Sequence, residues 1–154
     1  MGSTTMTVTS ADFAAGARIP KKHAYAPEGK NVPPSLAWSS APPATKEFAL
    51  ICDDPDAPVA EPWVHWILYK IAATATGLPA GMRGAFEGKN DWNVNGWGGP
   101  LPPVGHGTHH YHFNVYALDV NLSLAPGATK ASLRKAIEGH VIAQGELIGT
   151  YSRP

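Results

Sequence analysis

From Gly98 the chain reads GGPLPPVGHG and passes without a spacer into THHYHFNVYAL, ending at Leu118. Pro100, Pro102 and Pro103 remove three amide donors and fix φ, so neither a helix nor a sheet ladder can run through this loop. Gly98, Gly99, Gly105 and Gly107 let the backbone approach another group closely or take positive φ. The segment that follows has the aromatic and β-branched content of a strand. Its alternation puts His109, Tyr111, Phe113 and Val115 on one face and His110, His112, Asn114 and Tyr116 on the other. His106, His109, His110 and His112 fall within seven residues, but the pleat divides them, so they cannot act together on an unbroken strand.

Elsewhere the chain reads as short strands between Pro/Gly turns, as its 16 Gly and 15 Pro in 154 residues require. Met6–Thr9 and Ala24–Tyr25 are candidate strand fragments, and Asn31–Trp38 is an extended segment anchored by a buried Trp38. Glu47–Cys52 is apolar on both faces and predicts a central strand. Trp63–Ile71 predicts another, with His65, Ile67, Tyr69 and Ile71 facing one way and Val64, Trp66 and Leu68 the other. Ala131–Gly139 predicts a short helix, capped by Thr129, striped by Leu133, Ala136 and Ile137, and closed by Gly139. For His140–Tyr151 the glycines at 145 and 149 disfavour a helix, and a bent strand is expected. One domain spanning residues 1–154 fits this length, with no repeat and no linker.

Lys plus Arg and Asp plus Glu are 12 each, so no positive field draws nucleic acid or an anionic membrane. No run reaches membrane-spanning length. The single Cys52 excludes an intramolecular disulfide, and MGSTTMTVTS lacks the basic and apolar regions of a signal peptide, so a reducing, cytoplasmic setting is expected. Residues 1–5 are expected to be vector-derived or disordered, in place of a native leader.

A second constellation, Asp53-Asp54-Pro55-Asp56-Ala57-Pro58, ends the predicted central strand. In an extended segment Asp54 and Asp56 would project to the same side, and acids this close raise one another's proton affinity unless a donor or cation intervenes. Taken alone, the segment is an ordinary acidic turn.

DDPDAP followed by Trp63-Val-His65, then GPLPPVG, then His109-His-Tyr111, resembles the phosphatidylethanolamine-binding protein family in its bacterial Raf-kinase-inhibitor-like branch. Asn31–Trp38, Gly88–Asp91, Glu138–Val141 and Gly149–Tyr151 extend the resemblance over nearly the whole chain. It implies a mainly β fold, with a central antiparallel sheet, a smaller flanking sheet and short helices, and a small surface pocket for anions such as phosphate. Carried over residue by residue, the pocket falls on Asp54, Asp56, His65, His109 and Tyr111, with backbone amides near Gly98 and Gly99. The resemblance also implies a homodimer and a role in modulating a partner protein. One departure stands out: the family's usual Arg between the strand's His and Tyr is here His110, which exchanges a permanent charge for a pH-dependent one. Position 110 lies on the face away from His109 and Tyr111, where it is expected either to alter sheet packing or to make an ion pair behind the site.

Imidazole, phenol and amide donors suit phosphate oxygens. Asp54 and Asp56 would then orient the imidazoles, hold a shared proton, or receive the ammonium of a zwitterionic lipid head group. The leading expectation is a module that binds a small anionic ligand, with no cofactor, no nucleic acid and no membrane insertion. The alternative is an enzyme using His65, His109, Tyr111, Asp54 and Asp56 for acid/base chemistry. Covalent catalysis is disfavoured, since Cys52 has a buried-strand pattern and no nucleophile has an evident base. The clustered histidines match no zinc spacing, and only Asp54, His65 and His109 could form a facial Asp/His set, so no metal site is predicted. Glu61, Trp63 and Trp97 are candidate pocket walls, with core or loop packing the plainer reading for Trp63.

Overall fold

The computed structural model describes residues 4–79 and 85–154. The expectation for residues 1–3 lies outside them, while Thr4 and Thr5 form a short strand, β1, that pairs in parallel with the last strand. In chain order follow β2 (Thr7–Thr9), β3 (Leu36–Ser39), β4 (Glu47–Asp54), β5 (Trp63–Ala72), β6 (Gly77–Leu78), β7 (Phe86–Glu87), β8 (His109–Leu118), α1 (Lys130–Ile137) and β9 (Val141–Tyr151). A six-stranded sheet has the order β1-β9-β8-β4-β5-β7, and a three-stranded sheet the order β2-β3-β6. The architecture is the expected mainly β one, and every pairing between these strands is antiparallel apart from β1 with β9.

β4 is buried along its whole length because the large sheet is covered on both faces. On one face Phe48, Leu50 and Cys52 join Trp66, Leu68, Phe113 and Val115 against Phe13, Leu36 and Trp38 of the small-sheet side. On the other, Ala49, Ile51, Ile67 and Tyr116 pack under Leu133 and Ile137 of α1. Each fully buried aliphatic or aromatic side chain contributes about 1.5–3 kcal/mol. α1 forms as its sequence predicts: Thr129 caps it by accepting from the Ser132 amide at 3.2 Å, and the chain leaves through Gly139 at φ 80°. β9 is the expected strand, with Ala143, Leu147 and Tyr151 buried against β8.

Ala24–Tyr25 is not a strand. Lys21–His23 makes a short 3₁₀ turn, closed by the Ala24 amide on the Lys21 carbonyl, and Tyr25 leaves it to stack on Trp92 with ring centres 4.3 Å apart. Asn31 takes φ 54°, so the extended segment predicted over Asn31–Trp38 holds only in part, its strand beginning at Leu36. Both departures come from tertiary bonds that local pattern does not carry. Asn31 donates to the Trp97 carbonyl at 3.3 Å and accepts from the Gly99 amide at 2.7 Å.

β5 departs from simple alternation, and this decides the site. Cys52 opposes Trp66, but Asp53 opposes Val64, so His65 is an extra residue with no partner on β4. Such a bulge turns the strand and re-aims the side chain. Strict alternation groups His65 with Ile67 and Tyr69, under α1. The bulge instead sends it to the opposite face, edge-on to Tyr111 with ring centres 5.0 Å apart. A second register shift, between Phe48 and Leu50, accompanies positive φ at Lys70 and returns Ile71 to the face of Phe48 and Leu68.

Candidate functional site

At the end of the large sheet, a cavity of about 260 Å³ is lined by polar groups from three adjacent strands and by apolar loop residues. Asp54 ends β4, His65 sits at the β5 bulge, and His109 and Tyr111 begin β8. All four are at most 3% exposed. Val59, Trp63, Trp92, Leu101, Pro102 and Pro103 form much of its wall. Four of the predicted residues therefore converge.

Asp54 is bonded through both oxygens. Oδ2 accepts from His109 Nδ1 at 2.6 Å, and Oδ1 accepts from the Asp56 amide at 2.8 Å. The first bond fixes the tautomer and ring plane of His109. The second makes the turn that β4 enters at Pro55. That turn carries Asp56 away from the cavity: its carboxylate accepts from the amide and Nδ1 of His110, both at 2.8 Å. Asp54 and Asp56 do not share a side, because the chain stops being extended at Asp54. His110 thus pairs with Asp56 behind the site, one of the two roles expected of it. Burial resists a charge on Asp56, but the two His110 bonds, helped by the charges of His110 and His109, outweigh it and hold the carboxyl below its ordinary range.

His65 donates from Nδ1 to the Gly98 carbonyl at 2.6 Å, which leaves Nε2 for other partners. Burial is the largest influence on the ring and lowers its proton affinity, against the Gly98 carbonyl and the charges of Asp54 and Asp53. His65 is thus held neutral more firmly than a free imidazole. Burial likewise raises the proton affinity of Tyr111, reinforced by Asp54, so the phenol stays a neutral donor. Its hydroxyl is buried and has no hydrogen-bond partner among the described residues, and the same is true of Trp63 Nε1.

Gly98 and Gly99 act differently from the expectation. The Gly98 amide donates to the His65 carbonyl at 2.8 Å and the Gly99 amide to Asn31 Oδ1 at 2.7 Å, so neither is left for a ligand. They are glycines for close approach. A Cβ at position 98 would stand 2.4 Å from the Trp92 ring, and one at 99 only 1.9 Å from the His23 carbonyl oxygen. They hold the cavity from behind, Gly98 by orienting His65.

Trp63 is a wall of the cavity, whereas Trp97 lies in the core and donates to the His23 carbonyl at 3.0 Å. Glu61 lies in a separate groove near α1. Sequence reasoning missed Trp92, whose ring stacks on Tyr25 and meets Trp63 and His65 edge-on. It also gave His106 no role, yet His106 Nδ1 lies 2.7 Å from His109 Nε2. Cys52 is fully buried, and burial raises its thiol well above the ordinary range, which makes it inert. No group of three or more metal-ligating side chains is assembled among the described residues.

Comparisons with known proteins bear on the family and the fold. A UPF0098 protein of Methanothermobacter thermautotrophicus is 43% identical over 143 residues, covering 88% of this chain and 91% of its own. A Mycobacterium tuberculosis protein named as a lipoprotein, LppC, is 44% identical over 151 residues, covering 95% of this chain and 72% of its own. Among the described residues here, no helix is long and apolar enough to cross a membrane. The crystal structure of E. coli YbcL, described as a new member of the mammalian PEBP family, superposes with a TM-score of 0.90 at 34% identity, covering 97% of this chain and 99% of that one. The family model for phosphatidylethanolamine-binding protein matches residues 9–152. With sheet order, relatives and family model in agreement, the chain belongs to the phosphatidylethanolamine-binding protein family.

Proposed function

We propose that the cavity binds a small phosphate-type oxyanion through the Tyr111 hydroxyl and through the Nε2–H that His65 or His109 gains on taking up a proton, with any apolar substituent lying along the loop wall. The observation that carries this reading is the Tyr111 hydroxyl, buried, held protonated and without a partner among the described residues, beside two imidazoles at the foot of one cavity. A buried donor left unpaired costs about 1–3 kcal/mol, which an oxyanion would recover. The charge of Asp54 is partly offset, because its oxygens accept from His109 and the Asp56 amide. With Asp56 turned outward onto His110, an ammonium would find no uncommitted carboxylate among the lining residues, which favours an oxyanion over a zwitterionic head group.

Calorimetric titration with inorganic sulfate, which keeps its charge across the range, tests this. Affinity should rise as pH falls and an imidazole with Nδ1 already engaged gains an N–H at Nε2, which for His65 lies below the ordinary imidazole range. Affinity that is flat, or that rises toward alkaline pH, would exclude imidazole donation as the basis of binding.

One observation favours an enzymatic reading of the same floor: Asp54, His109 and His106 form a continuous hydrogen-bonded chain, an arrangement suited to a general base. Loss of turnover in His109→Ala with the fold retained would separate enzyme from binder.

A further inference from the structure

His109 has both ring nitrogens occupied. Nδ1 is on Asp54, and Nε2 is 2.7 Å from His106 Nδ1, with the rings 4.9 Å apart and tilted by 58°. If an oxyanion is to accept from His109, His106 must first leave. The geometry points to His106 as a latch: it occupies the donor position of His109 in the ligand-free protein and yields it to the anion. This rests on the oxyanion reading for its ligand, though not for the latch itself.

The surroundings of His106 suit such a movement. It is exposed, and it stands between Gly105 at φ 75° and Gly107 at φ 96°, neither of which has an atom within 4 Å of where a Cβ would be. The backbone is pinned up to and including His106, whose amide donates to the Pro103 carbonyl at 3.1 Å, so the movement is a rotation of its side chain. The Gly105 amide donates to the Arg153 carbonyl at 2.8 Å, and Arg153 Nε donates to the Pro102 carbonyl at 2.7 Å.

Proton counting sets when the latch holds. With Asp54 ionised and His109 Nδ1 protonated, a single proton between His109 Nε2 and His106 Nδ1 makes one good bond. One further proton, on His106 Nε2, leaves that bond in place. A second would set two N–H groups against each other, and the bond is lost. The charged and titratable groups facing the pair are Asp54 from β4, Asp56 from the turn after it, His65 from β5, and Tyr111 on the same strand. Tyr151 lies opposite His109 on β9 with its hydroxyl on Glu28, and Arg153 lies against the loop. Asp56 is already engaged by His110, and neither Tyr111 nor Tyr151 readily loses its proton, so none of them replaces the missing bond.

The test uses His106→Ala and two measurements on the whole chain. At neutral pH His106→Ala should bind inorganic sulfate about five-fold more tightly than the unsubstituted protein, the worth of one competing hydrogen bond. The difference should shrink once the pH is low enough for both rings to carry two protons, which releases the latch in the unsubstituted protein. Equal or weaker binding by the variant at neutral pH overturns the latch. Without ligand, long-range proton–nitrogen NMR should show His106 and His109 titrating as a coupled pair in the unsubstituted protein, and His109 alone changing over a single step in the variant. Independent titration in the unsubstituted protein overturns the latch even if sulfate binds neither form, a result that would by itself sink only the oxyanion reading.

Discussion

The carboxylate of Asp54 and the imidazole of His109 meet at 2.6 Å, Oδ2 to Nδ1, with side chains 4% and 2% exposed. The bond joins the last residue of β4 to the first of β8, so it closes the end of the sheet as well as setting the ring. Asp54→Asn keeps the shape but replaces a charge-assisted bond with a neutral one. It should lower stability by about 2 kcal/mol in urea denaturation and weaken sulfate binding at neutral pH. Unchanged stability would mean that the pair orients the imidazole without holding the strands together.

Acid should destabilise the protein in two stages. His65 is held by burial below the ordinary imidazole range, so as pH falls below about 6.5 the unfolded chain takes up a proton that the folded one refuses. Asp12 is also held low. Burial opposes its charge, but the Ser35 amide at 2.7 Å and the Ser35 hydroxyl, with His23 and Lys22, prevail. A lowered carboxyl contributes stability that is present above its unfolded value of about 3.9 and is lost as pH falls through its folded one. Urea midpoints should therefore be flat above neutrality, lower at pH 5.5 and lower again at pH 3. Asp12→Asn should cost about 1 kcal/mol at neutral pH, with the gap closing at the acid end.

The pleat alone showed that His109 and Tyr111 share a face and that His110 does not, because β8 is regular where those residues lie. The central position of β4 was equally legible, since a strand covered on both faces must be apolar on both. Alternation failed at His65, where one unpaired residue reverses the direction of the side chain and nothing local in WVHWILYKIA marks the bulge. It failed again at Asp56, whose direction depends on its own amide bonding back to Asp54. Trp92 lies on a loop with no period, and its place in the cavity wall is set by stacking on Tyr25, 67 positions earlier. Pattern reaches residues whose direction the strand decides, and stops where a bond between distant loops decides it.

The two kinds of glycine in the cavity loop should respond differently to alanine. In Gly99→Ala the new Cβ would stand 1.9 Å from the His23 carbonyl oxygen, and that backbone is also held by Trp97 Nε1 at 3.0 Å. Nothing there can move cheaply, and a loss of about 3 kcal/mol or more is expected. Gly105→Ala meets no atom and should cost only the strain of φ 75°, about 1–2 kcal/mol. Denaturant midpoints for the two variants check the contrast, and equal losses would remove the close-approach argument for Gly99.

Tyr111→Phe separates binding from stability. The phenol ring packs between strands, so phenylalanine keeps the burial, while the hydroxyl it removes has no partner among the described residues. Ligand-free stability should be unchanged or higher by up to about 1 kcal/mol, since an unpaired buried donor is removed rather than a bond. Sulfate binding should weaken about tenfold, because a hydrogen bond to a charged acceptor is worth more than a neutral one. Calorimetry and urea denaturation on the same preparation read both. A variant that loses stability while binding sulfate normally would show that the hydroxyl has a partner within the fold, and the oxyanion reading would lose the observation it stands on.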